Sequence, residues 1–376
     1  MRKYLLLISL LLLIIITFSE TYDVRGVEEL SYVLAIGIDK SDSPEEPLAL
    51  TIQIVKPDTS QGGGTKKTTE IKTVNCNSFS LGIAMLNLEN AYELNLSHCS
   101  AIVISEELAK DGIENFVGTV GNNTEIRPTC NVLICQESAK DFLEAASKIE
   151  DVSAKFYNSF INSAKTTSYV TPCRLSEFYA ATTNDVKQPV AVYSFIKDDT
   201  LESLGLAAFK ECKMVGRLSG LDTLCYNILT NNFDRATIEI YNSQNDGIPI
   251  TVDISRSDNT KIQVKLEDGK PTATCQINIE AKLISAGKNF DLTSPQSQVE
   301  IESEINKFLE DNISNFSYRT SEEYKSDIIG FQGYFKRNFL TQDELDKYNW
   351  EKLYPETKFQ IQTTTYLDLG SLFSKN

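Results

Sequence analysis

The spacing of apolar residues changes period several times along the chain, and each change marks an element. Leu48, Leu50, Ile52 and Ile54 alternate with Ala49, Thr51, Gln53 and Val55, the period of two expected of a half-buried strand. Tyr32–Asp39 forms a strand before it. The stretch from Lys56 to Thr68, with Gly62, Gly63 and Gly64 at its centre, reads as a turn and loop. Between Ser78 and Asn95 the period lengthens. Leu81, Ala84, Met85, Leu88, Ala91 and Tyr92 recur at three-to-four spacing, which predicts an amphipathic helix burying that stripe. Strand Ala101–Ser105, helical pieces near Glu106–Lys110 and Ile113–Val120, strand Thr129–Gln136 and helices Ser138–Lys148 and Val152–Ala164 follow.

The second half opens with strand Val190–Ile196 and a turn at Lys197-Asp198-Asp199. Leu204–Phe209 and Met214–Arg217 form a hairpin, Leu221–Thr230 a short helix, and three short strands run from Ala236 to Leu266. Ala273, Cys275, Ile277, Ile279, Ala281 and Leu283 make one face of a long strand. Helix Gln296–Phe316 carries Ile301, Ile305, Phe308, Leu309, Ile313 and Phe316 on one stripe, and a second helix is predicted over Glu322–Arg337. Phe359, Ile361, Thr363, Thr365 and Leu367 close the chain as an alternating strand. The fold class is therefore α+β or mixed α/β, in three sheet-plus-helix units: 21–187, 188–260 and 261–376. The last unit has strands and a helix pair of its own, which predicts that it buries a core unaided.

Residues 1–20 belong to none of these units. Met1-Arg2-Lys3 is positive, and Tyr4 to Phe18 is apolar except for Ser9 and Thr17, the pattern of an export signal. About 15 apolar residues span about 22 Å as helix, short of the roughly 30 Å hydrocarbon core. Flanking Arg2, Lys3 and Glu20 leave a retained anchor open beside a cleaved signal.

Charge and composition narrow the chemistry. With 52 acidic against 36 basic residues the net charge is −16, so nucleic acid is not an expected partner. The single histidine, His98, sits at a helix–strand junction, and no multi-histidine metal site or second histidine-based catalytic centre is available. Neither metal nor cofactor is expected. The eight cysteines contain no Cys-x-x-Cys, and Cys130 and Cys135, five apart along a strand, face opposite ways; mostly free, buried thiols are expected. The glycines near Lys66 lack the spacing of a phosphate-binding loop and read as a hairpin tip. Adjacent carboxylates at Glu28-Glu29, Asp198-Asp199 and Glu322-Glu323 diverge within any regular element and read as solvated surface. Glu125-Ile126-Arg127-Pro128 puts an ion pair at a strand entrance. No constellation points to an enzyme.

An ordered series of short motifs resembles the Ger(x)C family, the C subunit of bacterial spore nutrient-germinant receptors, from about Tyr22 to Leu369. Tyr22-Asp23-x-Arg25-x-x-Glu28-Glu29-Leu30 and Ile36-Gly37-Ile38-Asp39-Lys40 are similar to its opening. His98, Ser105 to Ile113 and Glu125-Ile126-Arg127 follow in order. Gly205 to Lys210, which includes Phe209, with Met214-Val215-Gly216-x-Leu218, is the most specific local match. Ser326-Asp327-Ile328-Ile329-Gly330-Phe331, then Trp350 and Tyr354-Pro355, resemble its C-terminal signature. The resemblance implies a non-enzymatic subunit on the outer face of the spore inner membrane, partnered by integral-membrane A-type and B-type subunits. Its motif residues are expected to be structural. A small-molecule (nutrient) binding module is the alternative. One position departs from the family: Thr21 stands where its members carry the lipid-bearing Cys, so a lipid cannot be attached there through a thiol.

Overall fold

A computed structural model of the chain describes Tyr4 and residues 30–56, 68–148, 156–241, 249–286 and 294–369. The expected apolar segment, apart from Tyr4, and the triple-glycine loop lie outside them. Two sheets organise the molecule. The first is built, in chain order, from β1 (Leu30–Lys40), β2 (Leu48–Lys56), β3 (Thr68–Cys76), helix α1 (Phe79–Leu88), β4 (Glu93–Asn95), β5 (Ala101–Ser105), α2 (Glu106–Asp111), α3 (Glu114–Gly121), β6 (Asn131–Cys135), α4 (Ala139–Lys148), α5 (Phe156–Lys165), α6 (Leu175–Thr183), β7 (Val190–Lys197), β8 (Thr200–Lys210) and β9 (Lys213–Leu218). Its order is β3-β2-β1-β5-β6-β7-β8-β9, with β4 added beside the start of β1. The central strands β1, β5, β6 and β7 are parallel, and helices connect β5 to β6 and β6 to β7. Strands β5 and β6 are buried at every position because helices cover both faces. Cys130 and Cys135 fall, as the spacing implies, into the apolar clusters on opposite faces.

Double coverage also revises the reading of β2. Thr51 and Gln53 are as buried as Leu50 and Ile52. Their polar groups are satisfied inside: Thr51 pairs with Thr73, while Gln53 donates to Ser147 Oγ at 2.8 Å and accepts from Tyr157 Oη at 2.7 Å. Alternation in sequence recorded polarity, not exposure.

The helix expected over Ser78–Asn95 ends at Leu88, and its buried face is not the predicted stripe. Phe79, Gly82 and Leu86 face the sheet, whereas Leu81, Leu88 and Tyr92 are 45%, 88% and 51% exposed. Gly82 decides the roll: a Cβ there would sit 2.7 Å from Leu50 Cδ2 and 2.8 Å from Cys76 Sγ, so only glycine permits the close approach. Asn87 accepts from Leu94 N–H and turns the chain into β4.

The second sheet joins β10 (Arg235–Tyr241), β11 (Pro249–Arg256), β12 (Lys261–Glu267), β13 (Lys270–Ser285) and the terminal β14 (Lys358–Asp368). Helix α7 (Gly220–Leu229) leads into it. Strand β11 pairs with the second half of β13 and β12 with the first half, while β14 runs parallel along the opposite edge. Helix α8 (Pro295–Tyr318), capped by Ser294 with Pro295 in its first turn, buries Ile301, Ile305, Leu309, Ile313 and Phe316 against this sheet. Its carboxylates blunt the edge strand: Glu310 accepts from Thr363 N–H at 2.8 Å and Glu302 from Leu367 N–H at 2.9 Å.

Two expectations change here. The helix predicted over Glu322–Arg337 is broken. A π-helical turn at Arg319–Glu323 ends α8, Lys325 and Gly330 take φ of 49° and 89°, and a short helix α9 (Phe331–Phe335) starts afresh. Apolar Ile328, Ile329, Phe331 and Phe335 are buried, but by an irregular path. Strands β7–β9, residues 190–218, which were expected to lie with 188–260, are hydrogen-bonded into the first sheet, while β10 and β11 belong to the second. One apolar cluster runs from beneath the first sheet through α7 to the second sheet and α8. The fold class is mixed α/β with sheets and helices, as expected. Among the described residues no helix is long and apolar enough to cross a membrane.

Candidate functional site

Asp23, Arg25 and Thr21 lie outside the described residues. Gly37 and Asp39 meet at the start of α4. The Asp39 carboxylate accepts from the Ala139 N–H at 2.6 Å and the Lys140 N–H at 3.0 Å, and a Cβ on Gly37 would stand 3.0 Å from Leu143 Cδ1. Burial pushes the Asp39 carboxyl up against the pull of these donors. At the carboxyl ends of β1 and β5, where open α/β sheets commonly hold anions, the protein's own carboxylate fills the place.

His98 and Arg127, far apart in sequence, line one cavity of about 350 Å³ with Cys99, Cys130 and Asn158. The imidazole Nδ1 lies 3.1 Å from Ser97 Oγ and the ring packs edge-on against Tyr32 at 4.6 Å. Cys99 and Cys130 are buried with their sulfurs 3.8 Å apart; all eight cysteines are free. Among the described residues no group of three His, Cys, Asp or Glu side chains is placed to hold a metal.

The remaining motif residues converge on a joint between the two sheets. Gly205, at φ 91°, has no room for a side chain, since a Cβ would overlap Leu218 O. Gly216 seats the ring of Tyr324, whose hydroxyl donates to Arg217 O at 3.0 Å. Phe209 packs edge-on to Phe178 at 5.1 Å, and its carbonyl accepts from Ser326 Oγ. At the centre is Asp327, 6% exposed. Its Oδ1 accepts from Gly330 N–H (2.8 Å) and Phe331 N–H (3.0 Å), and its Oδ2 from Gln332 N–H (2.8 Å) and Trp350 Nε1 (2.9 Å). Burial pushes this carboxyl up although all four donors pull it down. Asp327 also accepts through its carbonyl from Gln188 N–H at 2.9 Å. Phe331 stacks among Tyr354 and Phe359, and Trp350 among Phe335 and Tyr354.

Sequence reasoning missed the partners that complete this joint: Gln188, Tyr324, and the ion pair of Arg319 with Asp222 at 2.6 Å. Asp222 does double duty, forming a capping box with Ser219 at the start of α7. Only the Ser219-x-x-Asp222 spacing could have flagged it. Around the joint an open cleft of about 350 Å³ is lined by Asp327, Trp350, Lys210 and Glu351. Two further clefts share walls along α6, one containing Lys187 and Tyr226, the other Arg174, Lys165 and Asn158. The Lys187 ammonium donates to Tyr226 Oη at 2.7 Å. Burial works to lower its pKa, but Tyr226, Cys173 and Asp327 together outweigh it and the net direction is upward.

This geometry offers buried pins and open clefts, and comparison with known proteins divides the chain in two within the first sheet. Residues 23–194 match the family model described as the spore germination protein N-terminal domain, and residues 204–368 the model for the spore germination B3/GerAC-like C-terminal region. The gap between the matches falls in the β7–β8 hairpin. Spore germination protein KC of Bacillus subtilis (strain 168) is 23% identical over 97% of this chain and 95% of its own length. Spore germination protein GerQC of Bacillus cereus is 20% identical over 74% of this chain and 76% of its own. The crystal structure of the GerBC protein superposes with a TM-score of 0.56 at 18% identity, covering 88% of this chain and 97% of that one. Its likeness concerns the fold. With both family models matched in order over nearly the whole chain, the protein belongs to the Ger(x)C, or GerAC-like, family of spore germination proteins.

Proposed function

We propose that this chain is a non-enzymatic subunit of a spore nutrient germinant receptor, standing at the outer face of the spore inner membrane. It supports nutrient-triggered germination through protein–protein contacts with integral-membrane A-type and B-type subunits. The observation that carries the reading is the match of both family models, in order, along one chain. The physical layout is consistent with it. Motif residues such as Asp327, Trp350 and Gly216 serve to lock the C-terminal segment to the first sheet, so they shape the body rather than present chemistry. Leu81 and Leu88 of α1, with Tyr92 after its end, are exposed apolar side chains leading into β4, which pairs with the start of β1. Residues 4–18, or the partner subunits, would hold the protein at the membrane.

The test is co-purification of the full chain from spore membranes in mild detergent. Recovery of A-type or B-type subunits with it, and a slowed nutrient response in spores lacking it, are expected. Recovery of the chain alone, with an unaltered nutrient response on its deletion, would refute the proposal.

A further inference from the structure

In the cleft along α6 one ammonium group, that of Lys187, is hydrogen-bonded to a single neutral partner. Lys187 lies between α6 and β7, its stem passing the backbone of Gly330, where a Cβ would stand 3.5 Å from Lys187 Cβ. Its ammonium reaches Tyr226 Oη at 2.7 Å and stands 4.9 Å from the centre of that ring. Some lysines of the molecule meet carboxylates, such as Lys40 with Asp111, Lys210 with Glu351 and Lys270 with Glu356. Lys187 has no carboxylate within 4.0 Å among the described residues, and the Asp327 carboxylate acts on it only from beyond that contact distance. An ammonium carries three donors, and a neutral phenol answers one of them. Holding such a charge largely out of bulk water with no anion in contact is costly, and an anion bound directly to the ammonium reduces that cost.

The cleft supplies room for one. Its volume is about 340 Å³, at the small end of ligand sites. Pro172, Phe178 and Val190 give it an apolar wall, and the amides of Gln188 and Asn232 give it neutral hydrogen-bonding groups. Glu177 lies on the same lining and disfavours a second negative charge on whatever enters.

We propose that this cleft binds a small organic monocarboxylate, its carboxylate on the Lys187 ammonium and its uncharged body against Phe178 and Val190. The site is independent of the receptor assignment: it belongs to this chain whether or not partner subunits are present. Charge-assisted hydrogen bonding predicts that removing the ammonium lowers affinity by about tenfold or more.

The experiment uses the full chain in detergent, titrated with butyrate and with benzoate at constant ionic strength, against chloride and succinate. Binding is read by calorimetry and by mass spectrometry of amine labelling. Saturable binding of the monocarboxylates is expected, in the millimolar range or tighter, with chloride inert and succinate weaker. Bound monocarboxylate should slow labelling of Lys187 and leave exposed Lys197 unaffected. Lys187→Met should lose the binding and Lys187→Arg recover part of it. The labelling measurement on the unaltered chain decides the matter even if Lys187→Met does not fold. Absence of saturable binding, an equal response to chloride, unchanged labelling of Lys187, or undiminished binding by a folded Lys187→Met would each overturn the proposal.

Discussion

Replacing Asp327 with Ala removes the acceptor for four N–H groups at once: those of Gly330, Phe331 and Gln332, and the indole of Trp350. A hydrogen bond to a charged group contributes about 1.5–3 kcal/mol, so four set an upper bound of about 6–12 kcal/mol. Two effects reduce it. The carboxylate is itself disfavoured by burial, as its upward-shifted pKa records, and the adjoining cleft admits water to some of the freed donors. We expect a net loss of about 3–5 kcal/mol, the range for removing one partner of a buried charged contact. Because Trp350 is the sole tryptophan, its fluorescence reports this joint directly. In urea, Asp327→Ala should lose the indole signal at lower denaturant than the far-UV circular dichroism of the sheets, whereas the unaltered chain loses both together. A double-mutant cycle with Trp350→Phe, followed by circular dichroism, should give a coupling of about 1.5–3 kcal/mol, the value of the single bond they share. Additivity within about 0.5 kcal/mol, or coincident transitions in Asp327→Ala, would refute this account of the joint.

Other consequences are separately measurable. Gly216→Ala drives a Cβ into the Tyr324 ring and should cost about 1–3 kcal/mol in urea melts, with Tyr324→Ala largely suppressing the added loss. Glu310→Ala leaves the Thr363 N–H of β14 without its acceptor, and faster amide exchange at Thr363 should follow with little change at Ile277 of the neighbouring strand. A fragment of residues 261–376 omits β10 and β11, hence Ile238, Ile240, Ile250, Val252 and Ile254 of the shared core. It should melt broadly, whereas residues 220–376 should melt cooperatively; a sharp transition in the shorter fragment would show that β12–β14 and α8 suffice. Intact-mass measurement should find no diacylglyceryl adduct, since Thr21 has no thiol to carry one.

Much of the secondary structure was legible in the sequence because it is set by short-range periodicity. Strand β13 and helix α8 display one apolar face over many residues, and no local alternative satisfies that pattern. The family, too, could be read from ordered motifs before any geometry. Composition limited the chemistry, with one histidine and an acidic balance. Three things were decided only in three dimensions. Which face of α1 is buried depended on Gly82 letting the helix settle onto Leu50 and Cys76, a contact between segments that periodicity does not see. The break at Lys325–Gly330 hid within an apolar spacing that mimics a helix; Asp327 holds it by gathering N–H groups that a continuous helix would have used internally. The joint itself joins Gln188, Phe209, Gly216 and Asp222 to residues 319–350, separations of about 100 residues in most cases, so its hydrogen bonds exist only once both sheets are in place. The setting of Lys187 belongs to the same class: the sequence determines that a lysine is there, and only the packing of α6, α7 and the Gly330 turn determines that its ammonium meets the Tyr226 hydroxyl rather than a carboxylate.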